Sequence, residues 1–175
     1  MKKLNLFITS LILLSSCTSD QKDVQELRYY DIKGFFEKEV AKFSKSNPAV
    51  DKTTSHNAEN EQKVLKIDNW QQELALFTAS DINKSSWQDA YRVDSLENKV
   101  VYTALEDKLR TRKIEIDFVN KQPSKFTIYN NVANYLYQSE EQLTYYPDSL
   151  YSISKKHDVV LLGENNYSSI GKIVK

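Results

Sequence analysis

Cysteine is almost absent from this chain: of 175 residues only Cys17 carries a thiol. A lone cysteine closes no internal disulfide, and no Cys or His spacing of the kind that holds zinc occurs. Glycine is as scarce, with three residues. Neither a Gly-x-Gly nor a Gly-Lys-Ser/Thr phosphate loop is present, and no Gly-x-Ser-x-Gly nucleophile elbow. Charge of one sign is missing too, with 24 basic residues against 24 acidic. Nucleic-acid binding draws on a basic surplus that displaces counterions from phosphates, so no nucleic-acid partner is expected. Long apolar runs are lacking: the longest, Leu4 to Leu14, falls short of the roughly 20 residues a membrane-spanning helix needs.

What is present begins with an address. Met1-Lys2-Lys3 is a short basic start, Leu4 to Leu14 an apolar core, and Leu14-Ser15-Ser16-Cys17 follows directly. Those proportions are those of a signal peptide. The last four residues resemble the lipobox of bacterial lipoproteins: an aliphatic residue, two small ones, then the cysteine. The resemblance implies cleavage between Ser16 and Cys17, a diacylglycerol on the Cys17 thiol, and a membrane as the chain's first partner. Two or three acyl chains hold a protein stably where one does not. Residues 17–22 then form a polar tether, and 23–175 a single domain. Thr18 lacks the acidic residue that retains many proteobacterial lipoproteins at the inner membrane, so the outer membrane is the expected address. With its lipobox and Asn-, Lys- and Tyr-rich composition the chain is similar to lipoproteins of the Bacteroidota, a resemblance that names no activity.

Hydrophobic content of 40% and charged content of 27% describe a globular body. Val24, Leu27, Ile32, Phe35, Phe36, Val40 and Phe43 recur at helical spacing, which predicts a helix over 23–44 with a weak point at Gly34 and a stop at Asn47-Pro48. Residues 49–67 read as a hairpin with a polar tip. Asp68 and Gln71 have the capping-box form, opening a second helix through Trp70, Leu74 and Phe77 to about Ser80. From Trp87 on the period becomes two. The cleanest strand is Lys113 to Val119, with Ile114, Ile116 and Phe118 on one face, and Phe126 and Ile128 continue that face after a turn at Lys121 to Ser124. Further strands are read over 134–138 and 142–146, around a turn at Ser139-Glu140-Glu141, and over 150–154 and 159–162, around a turn at Lys155 to Asp158. The expected fold is α+β: two N-terminal helices packed on an antiparallel meander of about six to eight strands.

Candidate sites are few. His56 and His157 both fall in predicted turns without partners at catalytic or metal-binding spacing, so no catalytic residue, metal or cofactor is assigned. Tyrosine is the compositional outlier, with eleven residues, nine of them from Tyr91 to Tyr167. Tyr135, Tyr137, Tyr145 and Tyr151 form a candidate binding face, since tyrosine offers apolar area with a polar tip and is enriched at recognition surfaces. The function expected is that of a non-catalytic envelope module with a protein, glycan or lipid partner. The alternatives are a carrier holding an apolar ligand under its helices in a curved sheet, and a hydrolase built on paired carboxylates.

Overall fold

The computed structural model describes residues 27–161 and 163–174. The expected signal peptide, the Ser16–Cys17 cleavage site, the lipidation at Cys17 and the tether lie outside the described residues.

The first helix, α1 (Ile32–Ser46), starts later than its apolar pattern implies. Asp31 caps it, its carboxylate accepting from the Gly34 N–H at 2.7 Å, which satisfies one of the open donors of the first turn. Gly34 is not a kink but the space for that cap, because a Cβ there would lie 2.1 Å from an Asp31 oxygen. Asn47 ends the helix in the left-handed conformation (φ 42°), its N–H bonded to the Phe43 carbonyl, and Pro48 follows.

The polar stretch after it is the expected hairpin, β1 (Ala49–His56) and β2 (Glu59–Lys66). The second helix is broken in two, α2 (Trp70–Glu73) and α3 (Ala75–Thr78). Its cap is Asn69 rather than Asp68, with Asn69 Oδ1 accepting from the Gln72 N–H at 3.0 Å. The chain leaves helical geometry at Leu74 (φ −98°, ψ 10°), and Trp70, Leu74 and Phe77 are all buried in one core.

After a 3₁₀ turn at Ser85–Trp87 come seven strands: β3 (Tyr91–Leu96), β4 (Lys99–Ala104), β5 (Thr111–Val119), β6 (Gln122–Ala133), β7 (Tyr137–Tyr146), β8 (Leu150–Val159) and β9 (Gly163–Ile173). They form an antiparallel meander, and the β1–β2 hairpin joins it through β9, giving one nine-stranded sheet in the order β2-β1-β9-β8-β7-β6-β5-β4-β3. The α+β class holds. The layout differs from two leading helices and six to eight strands, because the hairpin separates the helices and extends the sheet.

One expected turn is displaced by a residue, and two others are strand instead. Asn120 and Lys121, both at positive φ, make the β5–β6 turn, and Pro123 lies in β6. Ser139-Glu140-Glu141 and Lys155-Lys156-His157 sit in the middle of β7 and β8, directly opposite each other: Ser139 faces His157, Glu140 faces Lys156 and Glu141 faces Lys155. Opposite charges across a ladder stabilise the pairing, and polar composition then mimics a turn. The real turns at that end are Asn134–Leu136 and Val160–Leu161, which are largely apolar.

The three helices lie on one face of the sheet. Ile114, Ile116, Phe126 and Ile128 point into that layer as the alternation predicts, all of them fully buried. The opposite face is solvated and carries ion pairs such as Lys99 with Glu115 at 3.1 Å and with Asp117 at 3.2 Å. Glu115 is held below the usual carboxylate range by Lys113 and Lys99, against a smaller opposing effect of burial. The exposed edge strand β2 carries Glu59, Glu61, Lys63 and Lys66, charges that discourage another strand from adding there.

Candidate functional site

Strand registry divides the helix-bearing face along the length of β7, β8 and β9. At the end bounded by Pro147-Asp148 the helices cover it. Phe36 stacks on Phe77 at 4.8 Å, and Phe35, Phe36 and Phe77 surround Phe126 and Tyr145. Two of the helices, α1 and α2, each send a carboxylate onto a sheet tyrosine. Glu39 of α1 accepts from the Tyr145 hydroxyl, and Glu73 of α2 accepts from the Tyr151 hydroxyl at 2.6 Å. Burial first, and the carboxylate second, push both phenols far above their ordinary pKa. They stay protonated and keep donating. Lys52 of β1 completes the second contact, 2.7 Å from Glu73.

The boundary is a polar network. Glu141 of β7, nearly buried, meets Arg110 at 2.6 Å, Lys155 at 3.1 Å and the Asn130 amide at 3.2 Å. Asn130 also donates to the Ser80 hydroxyl, just past α3, at 3.0 Å. Burial works to raise the Glu141 pKa, but Arg110, Lys155 and Asn130 outweigh it and hold the carboxyl below its usual range.

Beyond that network the same face is open. Four rings stand in a row across four adjacent strands: Tyr137 of β7, His157 of β8, Tyr167 of β9 and His56 of β1. His56 and Tyr167 are direct cross-strand neighbours and stack at 4.4 Å with 6° between planes. His157 meets Tyr167 edge-on and Tyr137 nearly in parallel, each at 6.4 Å. A groove of about 660 Å³ opens beside them, lined on this face by Thr54, His56, Glu59, Glu61, Ile153, Lys155, Tyr167 and Ser169. The β1–β2 turn forms its rim and is fastened to β9: Asn57 Oδ1 accepts from the Asn166 N–H at 2.9 Å, and the Asn57 N–H donates to the Asn166 carbonyl at 2.8 Å. Two polar atoms on this part of the face, Ser169 Oγ and His157 Nε2, are buried without a hydrogen-bond partner.

The four tyrosines expected to form one face are therefore divided. Tyr145 and Tyr151 are 1% exposed and belong to the helix-covered core. Tyr137 lies in the open half, and Tyr135 is fully exposed in the β6–β7 turn. The histidines, expected in turns, are strand residues of the open half. Tyr167 was not among the candidate site residues. Only β1–β9 pairing brings it to His56, and 110 residues separate them. Among the described residues no group of three or more His, Cys, Asp or Glu side chains converges to hold a metal, and no helix is long and apolar enough to cross a membrane. Glu59 and Glu61 both line the groove, where they are exposed, and Glu61 is paired with Lys63.

No protein-family model matches the chain, and no curated protein or solved structure matches it.

Proposed function

We propose that this chain is an envelope lipoprotein, lipidated at Cys17 and held at the outer membrane, whose folded part is a non-catalytic module binding a hydroxyl-rich polymer in the open half of the helix-bearing face. The groove lining carries the ligand reading. On this face it offers hydroxyls, carboxylates, an ammonium and two stacked rings, with Ile153 as its one aliphatic residue. That set suits sugar hydroxyls and ring faces and suits an acyl chain poorly.

The packing of Phe35, Phe36, Phe77, Phe126 and Tyr145 fills the space beneath the helices, which counts against an apolar ligand held there. The test is retardation of the full chain in native gels cast with soluble polysaccharides, dextran, mannan and xylan in turn. Retardation by at least one of them, abolished by Tyr167→Ala, is the expected result. Equal mobility in all gels contradicts the ligand reading. Mass spectrometry of the N-terminus from isolated membranes tests the anchor separately, since an acylated chain beginning at Cys17 is expected.

A further inference from the structure

Polarity along the open end of the sheet runs opposite to the ordinary rule. Charged residues lie within the strands, while the turns beyond them are apolar. Side chains in the β6–β7 turn and the β8–β9 turn are Tyr135 (100% exposed), Leu136 (73%), Val160 (70%) and Leu161 (93%). The two turns are neighbours, joined by the Val160 N–H donating to the Leu136 carbonyl at 3.1 Å. The first is braced from within, Asn134 Oδ1 accepting from the Leu136 and Tyr137 N–H groups at 2.8 and 3.0 Å. Four large apolar side chains are thus exposed on two joined turns, with nothing packed on them among the described residues. Contiguous exposed apolar surface of this kind marks a site of interaction.

We propose that this double tip inserts into the interfacial layer of a lipid bilayer. The layering of chemistry behind it favours a bilayer over a protein groove. From Phe126 to Ser139 no side chain is charged, and none is charged between Asp158 and Glu164. Next behind the aliphatic tips stands Tyr137, an amphipathic ring of the type that settles at headgroup depth. Behind it comes a belt of both signs: Glu140, Lys156, Asp158 and Glu164, with Lys156 2.8 Å from Glu164. Asp158 and Lys156 are three and five residues before Leu161, so at about 3.3 Å per strand residue the belt lies roughly 10–16 Å behind it. An apolar element buried about 5–10 Å into the headgroup and acyl boundary leaves such a belt in water. The belt is net acidic, three carboxylates to one ammonium, so it draws no attraction from anionic lipid, and insertion rests on apolar burial and persists in salt.

This inference extends the anchored reading, in which a membrane is already at hand, yet it is read at a different residue. The full chain carrying Leu161→Cys is labelled with the environment-sensitive fluorophore NBD and mixed with phosphatidylcholine vesicles. The wild-type chain, treated in parallel, reports whether the Cys17 thiol is free. The expected result is a blue shift at position 161 that bromine on the upper acyl chain quenches, unchanged in 0.5 M salt. A label at Leu96→Cys, an exposed aliphatic residue at the opposite end of the sheet, shows none. Leu136→Ser, added to the Leu161→Cys chain, is expected to diminish the shift. No shift at 161, or an equal shift at 96, overturns the proposal. So does a shift that needs no vesicles and grows with protein concentration, which would seat a second copy on the tip. A free Cys17 thiol would sink the lipoprotein reading and leave the result at 161 standing.

Discussion

The two halves of the helix-bearing face are built from the same strands and the same residue types, yet they do opposite things. In the covered half Tyr145 and Tyr151 lie against Phe36, Phe77 and Trp70 and give their hydroxyls to Glu39 and Glu73. In the open half Tyr137 stands beside His157, and Tyr167 stacks on His56, with no helix above. An aromatic residue on a strand is therefore core or surface according to what crosses over it, and here three short helices cover only part of the strand length. The covered half stabilises the fold, and the open half is free to bind.

The largest stability effect is expected in the covered half. Phe36→Ala removes a fully buried ring that touches Phe35, Phe77, Phe126 and Tyr145, at a cost of about 3–5 kcal/mol. Urea unfolding should show a lower midpoint with an unchanged slope. A loss under 1 kcal/mol would mean that the helices are not held as described.

At the boundary, Glu141→Gln leaves Arg110 and Lys155 without their shared counter-charge. Breaking a buried pair costs 3–5 kcal/mol, but both cations are about a third exposed, so roughly 2 kcal/mol is expected. The effect depends on pH. Glu141 has a lowered folded pKa, so its contribution is present above the ordinary glutamate value of about 4.3 and fades as pH falls through the folded value. Wild type and variant should therefore converge in stability in acid. A gap that stays constant from neutral pH to pH 3 would contradict this assignment.

Tyr151→Phe removes one hydrogen bond to a carboxylate that retains Lys52, and about 1.5 kcal/mol is expected by thermal unfolding. The matching change in the open half, Tyr167→Ala, should move stability by under about 1 kcal/mol, because the ring is 44% exposed and no helix packs on it. Similar losses from Phe36→Ala and Tyr167→Ala would abolish the distinction between the halves.

Much of the scaffold could be read from the sequence. The period of three to four through Ile32, Phe36 and Phe43 marked the buried side of α1, and the period of two through Ile114, Ile116 and Phe126, Ile128 marked the sheet face. The β6–β7 and β8–β9 turns could not, because composition there is inverted, whereas Pro147-Asp148 signals the β7–β8 turn. Glu140 and Glu141 resemble a loop until Lys156 and Lys155 stand opposite them, and that registry is a property of two strands together. Tyr135 and Leu136 resemble strand for the same reason. The candidate site was half visible. Tyrosine abundance drew attention to Tyr137, but no local signal separates it from Tyr145, whose burial depends on a helix about 100 residues earlier. The row of His56, His157 and Tyr167 depends on β1 joining β9, a long-range pairing that periodicity does not encode.

The measurement that tests the division of this face most directly is polysaccharide binding by three full-length proteins: wild type, Tyr167→Ala and Tyr146→Ala. Tyr146 is a partly exposed ring on the opposite, solvated face and serves as the matched control. Affinity electrophoresis should show retardation for wild type and Tyr146→Ala, and at least a tenfold weaker interaction for Tyr167→Ala, all three with the same unfolding midpoint to within about 1 kcal/mol. Retardation lost in Tyr146→Ala and kept in Tyr167→Ala would place binding on the other face and contradict the account.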